Sequence, residues 1–175
     1  MKDRISNAIL VANRKQSQIA VCAVDVDDFK TINDSFGHQA GDDVLKKMTQ
    51  RLVSELREYD SMARVGGDEF VILLQEVVDR NQVSAILDRI LNATTLPLEV
   101  GGHAINPTLS IGVALYPEHG KDTVELTHSA DKALYHSKTH GKNRYSFYAP
   151  QEKQRMVDPT AHPGSRGSSS ETPLS

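Results

Sequence analysis

Four acidic residues stand where they could act together. Asp25 and Asp27 close the β-branched run Ile19–Asp27 (IAVCAVDVD), and Asp68 and Glu69 follow the glycine pair Gly66-Gly67. A glycine pair carries no side chains, so a bulky ligand can approach its backbone closely. Adjacent carboxylates at a tight turn repel one another unless something cationic compensates. If the strands carrying these acids are neighbours, three or four carboxylates converge at one sheet end. Oxygen-rich clusters of that kind hold Mg²⁺, with phosphate oxygens completing the octahedron. The competing reading is a solvated hairpin with ordinary turn acids.

A second constellation follows directly. Lys30 lies just past the acidic strand end, at a predicted helix start. Backbone N–H groups there, together with a lysine, make an anion site suited to phosphates. Asn33 both donates and accepts, and Asp42 only accepts. Together they suit the edge of guanine, whose N1–H and N2–H₂ donate and whose O6 accepts. Taken singly, each has an ordinary explanation: a surface lysine, a helix-end asparagine, an N-cap aspartate. His136 and His140 stand four apart on a predicted helix, but no third ligand is evident for a zinc site. Cys22 alternates with apolar residues and reads as inert packing.

The combination says more than its parts. The stretches DVDDFKTIND (25–34), GHQAGD (37–42), RVGGDEF (64–70), LSIGVA (109–114) and ADKALYHSKTHGKNR (130–144) make the chain resemble the GGDEF family, the diguanylate cyclases. The resemblance covers about residues 3 to 149. It implies a palm-like α/β fold, a mostly antiparallel sheet flanked by helices, similar to class III nucleotide cyclase catalytic domains. It also implies condensation of two GTP into cyclic di-GMP and two pyrophosphates.

Site residues carry over by position. Asp25 and Asp68, with the backbone carbonyl of Val26, would hold two Mg²⁺ per GTP, with Mn²⁺ an alternative. Asp68, Glu69 and Lys30 would form the catalytic set, Glu69 acting on the metals or as a base near the attacking 3′-hydroxyl. Asn33 and Asp42 would bind guanine, and Gly66 and Gly67 would lie against the nucleotide. Lys30, with the backbone around Asp28 and Phe29, would hold the triphosphate. Lys138 and Lys142 match basic phosphate-binding positions. The family usually has arginine where this chain has Lys142, an exchange that keeps the charge but loses the bidentate fork.

Arg57 and Asp60 form an R-x-x-D at the spacing of the family's inhibitory site, which binds the product cyclic di-GMP. Arg89 would add a second arginine from the following helix. Without the family match, Arg57 and Asp60 read as an i,i+3 ion pair at a helix end. Each domain would bind one GTP, so the active species would be a homodimer with two-fold symmetry. Family members usually begin with a D-x-L-T-G-L-x-N-R segment, whereas this chain starts Met1-Lys-Asp-Arg-Ile. The same residues also suit a weakly active module, either a cyclic di-GMP receptor or a GTP-binding regulatory domain.

Definite elements must position these groups. Ile5, Ala8, Ile9 and Ala12 recur at helical spacing and predict an N-terminal amphipathic helix. Ile19–Asp27 predicts a central strand. A short helix is expected over 28–36, a turn region over 37–41, and a long helix over 42–58 with Asp42 at its positive end. Strands at 61–65 and 69–75 flank Gly66-Gly67 and read as a hairpin. A helix at 81–93 and a second hairpin follow, with strands 96–100 and 103–116 around Gly101-Gly102. A helix over 123–140 and a strand over 144–148 close the pattern. Hairpins mixed with helices predict helices packed on a largely antiparallel sheet.

Composition bounds the rest. The 175 residues predict one domain. Net charge is −3, with no basic stripe, which excludes a general nucleic-acid-polymer binder. The single cysteine forbids an internal disulfide and fits a reducing, cytoplasmic compartment. Ile19–Val24, the longest strictly apolar run, is far too short to span a bilayer. No direct membrane contact is expected of this chain, although a full-length protein could be membrane-tethered. Residues 1–150 are expected to fold. Residues 151–175, rich in Ser, Gly and Pro, are expected to be a disordered tail or linker, because they bury too little to offset their ordering entropy.

Overall fold

A computed structural model of the chain describes residues 1–150. The expected tail, 151–175, lies outside the described residues. The elements run α1 (Lys2–Lys15), β1 (Gln18–Val26), α2 (Phe29–Phe36), α3 (His38–Ser54), β2 (Ser61–Gly66), β3 (Glu69–Val77), α4 (Arg80–Thr94), β4 (Leu98–Val100), β5 (His103–Ile105), β6 (Leu109–Tyr116), α5 (Thr123–Thr139) and β7 (Arg144–Phe147). The main sheet has the order β2-β3-β1-β6-β7. Its first three pairings are antiparallel, and β7 joins β6 in parallel. The expected central strand is therefore β1, buried along nearly its whole length.

Side chains alternate between the two faces of a strand, and here the alternation sorts two cores. Cys22, Val24, Phe70, Ile72, Ile111 and Val113 face one way, into a cluster with α3, α4 and the β4–β5 pair. Ile19, Val21, Ala23, Leu73 and Ala114 face the other way, against Ile5, Ala8 and Ala12 of α1 and Ala130 of α5. The sequence pattern of β1 is uniformly apolar because both of its faces are covered.

Helix α5 comes unusually close to the sheet. A side-chain carbon placed on Gly112 would stand 2.0 Å from the Leu134 nitrogen and 2.1 Å from the Ala130 carbonyl oxygen. Only glycine fits at that point of β6. The close approach brings the C-terminal half of α5 over the acidic end of β1.

Three expected boundaries move, the first being the end of the long helix, which stops at Ser54 rather than at 58. The turn region 37–41 shrinks to Gly37 alone, whose φ of 85° separates α2 from α3. Helix α3 then begins at His38, so Asp42 lies past its first turn and does not cap it. The second hairpin also divides. Its tip is the separate pair β4–β5, and β6 belongs to the main sheet. Pro107 lies in the break between β5 and β6, where it has no N–H to offer a ladder.

Candidate active site

Strand register decides which acids meet. Asp25 lies opposite Glu69 of β3 on one side and Ser110 of β6 on the other. Counting by twos, Asp25, Asp27, Glu69 and Ser110 all fall on the α5 face of the sheet. The hairpin between β2 and β3 turns on Gly67 and Asp68, one residue later than the expected glycine pair, since Gly66 pairs with Glu69. Gly67 takes a φ of 41°, a conformation glycine adopts freely. The Arg64 guanidinium braces the turn through a 2.7 Å hydrogen bond from Nε to the Gly67 carbonyl. The Val26 N–H donates to the Asp68 carbonyl at 3.2 Å. In an antiparallel ladder a residue's N–H and C=O point to the same neighbour, so the Val26 carbonyl is directed toward the same turn.

Asp25 is only 6% exposed. Burial pushes its carboxyl pKa up, the Lys138 ammonium 2.7 Å away pulls it down, and the charges of Asp68 and Glu69 push it up again; the net direction is upward. Asp25 is thus a buried carboxylate facing two further carboxylates, with one lysine to offset them. Such a donor set calls for additional positive charge. Asp25, the Val26 carbonyl and Asp68 are hard oxygen donors on adjacent backbone, which fits a divalent ion whose remaining ligands come from phosphate or water. Among the described residues no group of three or more His, Cys, Asp or Glu side chains forms a metal site by itself. Beside the pair, a cleft of about 290 Å³ opens between the hairpin and α5, lined by Val65, Glu69, Asp131, Leu134, Tyr135 and Lys138. Partial desolvation in the cleft and the neighbouring Glu69 charge also push the carboxyl of the exposed Asp131 up.

Asp27 departs from the expected convergence of acids. Its carboxylate is occupied on both oxygens, by Ser110 Oγ at 2.6 Å, Thr108 Oγ1 at 2.7 Å and the Asn143 N–H at 3.0 Å. It holds the fold together at the sheet end, and the convergent acids are Asp25, Asp68 and Glu69.

The second constellation assembles at the same end. Asp28 takes a left-handed φ of 53° and leads into α2. Lys142 donates to its Oδ1 at 2.6 Å. Phe29 packs against the core and Lys30 is exposed on the first turn of α2. Asn33 lies over α3, and Gly41 makes this possible: a side-chain carbon there would stand 1.9 Å from Asn33 Oδ1. Asp42, the next residue, is exposed. Gly41 is a site residue that motif reading missed, because only the crossing of α2 on α3 reveals what it leaves room for.

Arg57 and Asp60 lie in the segment between α3 and β2. They do not pair as an ion pair. Asp60 accepts the backbone N–H groups of Arg57 at 3.0 Å and Gln75 at 3.1 Å. The Arg57 guanidinium reaches the Tyr59 hydroxyl at 2.8 Å. Arg89 on α4 donates to the Glu55 carbonyl at 2.6 Å and to its carboxylate at 3.2 Å. Arg57 therefore belongs to the segment 55–60 and Arg89 is held against it. His136 and His140 stack at 3.8 Å between ring centres. Cys22 is fully buried, with its thiol pushed up to about 12 by burial, as inert packing requires.

Comparison with known proteins decides the lineage. Residues 1–144 match the family described as diguanylate cyclase, GGDEF domain. The chain belongs to the GGDEF family. It is 42% identical over 136 residues to the diguanylate cyclase TpbB of Pseudomonas aeruginosa, covering 77% of this chain and 31% of that protein. It is 36% identical over 148 residues to the bifunctional diguanylate cyclase/cyclic di-GMP phosphodiesterase MucR of the same organism, covering 85% of this chain and 22% of that one. The chain thus spans about a fifth to a third of the length of these curated relatives. The crystal structure of the TpbB GGDEF domain superimposes with a TM-score of 0.83 at 38% identity, covering 85% of this chain and 92% of that one. The GGDEF domain of DgcB from Caulobacter crescentus, solved in complex with c-di-GMP, gives 0.77 at 27% identity, covering 83% and 86%. The five-stranded, mostly antiparallel sheet with flanking helices is the fold of these GGDEF domains, as the resemblance implied. No helix of the described residues is long and apolar enough to cross a membrane.

Proposed function

We propose that this GGDEF domain is a diguanylate cyclase that joins two GTP molecules into cyclic di-GMP and releases two pyrophosphates. The observation that carries the reading is the register that sets Asp25 beside Glu69 and the Asp68 turn, with Lys138 the only ammonium in contact with Asp25 among the described residues. Asp25, Asp68 and the Val26 carbonyl would hold Mg²⁺. Bound there, the ions would supply Lewis-acid polarisation of the phosphates and stabilise the charge that builds on them.

The remaining roles belong to the chain's own groups. Asn33 and Asp42 bind the guanine edge, and Lys30 with the backbone at Asp28 and Phe29 binds the triphosphate. Lys138 and Lys142, now paired with Asp25 and Asp28, share their charge with phosphate oxygens. Glu69 accepts the proton of the 3′-hydroxyl as that oxygen forms a bond to the α-phosphorus of the other GTP and pyrophosphate leaves. Repeating the step closes the ring. One domain holds one GTP, so two copies must face each other. Arg57, Asp60 and Arg89 form the site at which the product inhibits.

Gly41→Ala is expected to leave the fold intact, since the end of the Asn33 side chain can swing away. It should weaken guanosine binding by about tenfold, the worth of a hydrogen bond or two to the base. Calorimetry on wild type and variant checks this, and equal affinities would remove Asn33 from the guanine site.

A second reading keeps the chain as a cyclic di-GMP receptor with little turnover. It rests on Arg57 within residues 55–60 and Arg89 alongside them. Arg57→Ala is expected to abolish cyclic di-GMP inhibition while leaving the initial rate unchanged. A variant still inhibited by product would exclude the R-x-x-D site from both readings.

A further inference from the structure

Asp27 is buried, charged and left without a chemical task by the reading above. It is 6% exposed and joins three parts of the chain. Its N–H donates to the Thr108 carbonyl at 2.9 Å. Oδ1 accepts Ser110 Oγ, and Oδ2 accepts both Thr108 Oγ1 and the Asn143 N–H. The strand end of β1 is thereby tied to the start of β6 and to the loop between α5 and β7.

That loop needs holding. Gly141, Lys142 and Asn143 all take left-handed φ values, of 111°, 56° and 44°. Glycine accepts such a conformation freely, asparagine tolerates it, and lysine does so at a cost. Two backbone contacts keep the loop in place: Lys142 N–H to the Ser137 carbonyl at 3.1 Å, and Asn143 N–H to Asp27. Lys142 then reaches across to Asp28 at 2.6 Å, beside the start of α2.

We propose that Asp27 is a positioning residue: it fixes the 141–143 loop so that the Lys142 ammonium stands over the triphosphate end of the nucleotide site. Asp27 touches no substrate. Its effect on the nucleotide passes through the Asn143 N–H to the adjacent lysine. This inference rests on the cyclase reading for the location of the triphosphate, but not on turnover.

The test is calorimetric, with a non-hydrolysable GTP analogue and with guanosine, each in the presence of Mg²⁺. In Asp27→Asn, affinity for the GTP analogue is expected to fall about tenfold, as for loss of a hydrogen bond to a charged group. Guanosine affinity should stay unchanged, because the proposed base contacts, Asn33 and Asp42, lie on α2 and α3 and guanosine carries no phosphate for Lys142 to meet. Adding Lys142→Ala to Asp27→Asn should weaken the analogue little further, since the two changes remove one interaction. In an active cyclase the variant raises KM for GTP more than it lowers kcat. Equal losses for analogue and guanosine, or full additivity with Lys142→Ala, would overturn the proposal. If Asp27→Asn does not fold, Thr108→Val, which removes one of the donors that orient the Asp27 carboxylate toward the Asn143 N–H, is expected to weaken the analogue by a smaller factor and leave guanosine unchanged, and no loss for the analogue or an equal loss for both would overturn the proposal. Wild-type protein that binds neither nucleotide would instead overturn the functional reading itself.

Discussion

Asp25→Asn is expected to cut cyclic di-GMP formation at least about a thousandfold, the equivalent of about 4 kcal/mol of transition-state stabilisation. The same substitution should leave the melting temperature unchanged or raise it. The two expectations come from one feature. Asp25 is buried, faces Asp68 and Glu69, and has its carboxyl pKa raised above the ordinary value. A raised pKa means the folded chain disfavours the ionised form relative to the unfolded chain, so at neutral pH the charge costs stability. An amide of nearly the same shape removes that cost. Lys138 loses its partner, but its side chain is 37% exposed and can be hydrated. What the amide cannot do is donate an anionic oxygen to a cation or balance Lys138 while phosphate binds. Loss of activity with retained or higher stability marks a residue kept for chemistry at the expense of the fold. Turnover within about tenfold of wild type would contradict the assignment of Asp25.

Gly112→Val should be the most damaging change away from the site. Even the first side-chain carbon meets backbone atoms of α5 at 2.0 Å and 2.1 Å, and no flexible side chain can move aside. β6 and α5 must separate, and that loosens the contact that brings Lys138 to Asp25. Overpacking of this kind costs about 3 kcal/mol or more, which lowers the melting temperature of a domain this size by about 10 °C. Thermal unfolding followed by circular dichroism checks it, and a shift of a degree or two would mean that α5 does not press on the sheet as described.

The parts of the site that were legible in the sequence are those governed by short-range pattern. The β-branched run ending in acids gives β1, the glycine-flanked turn gives the β2–β3 hairpin, and the period of two puts Asp25 and Asp27 on one face. Spacing alone does not say which of those two acids is free for chemistry, and it is the family resemblance that points to Asp25. Asp27 is consumed by Thr108, Ser110 and Asn143, residues 81 to 116 positions away, and only the pairing of β1 with β6 reveals it. Asp42 looked like a cap because Gly37 and Gly41 both read as turn residues. In the fold Gly37 alone breaks the helix, and Gly41 serves to admit Asn33. The R-x-x-D spacing was visible, but not that Asp60 spends its oxygens on the backbone N–H groups of Arg57 and Gln75 rather than on the Arg57 guanidinium. Gly112 lies in the LSIGVA stretch, but only the packing of α5 on β6 reveals that the Lys138–Asp25 contact depends on it.

The most direct test of the central claim is to incubate the purified protein with GTP and Mg²⁺ over a range of protein concentrations and to separate the nucleotides by chromatography. Cyclic di-GMP and pyrophosphate are expected in a one-to-two ratio, with formation abolished by EDTA. Specific activity should rise with protein concentration, because each copy supplies half of the reaction centre. Absence of cyclic di-GMP at the highest concentration, under conditions where GTP demonstrably binds, would contradict the account.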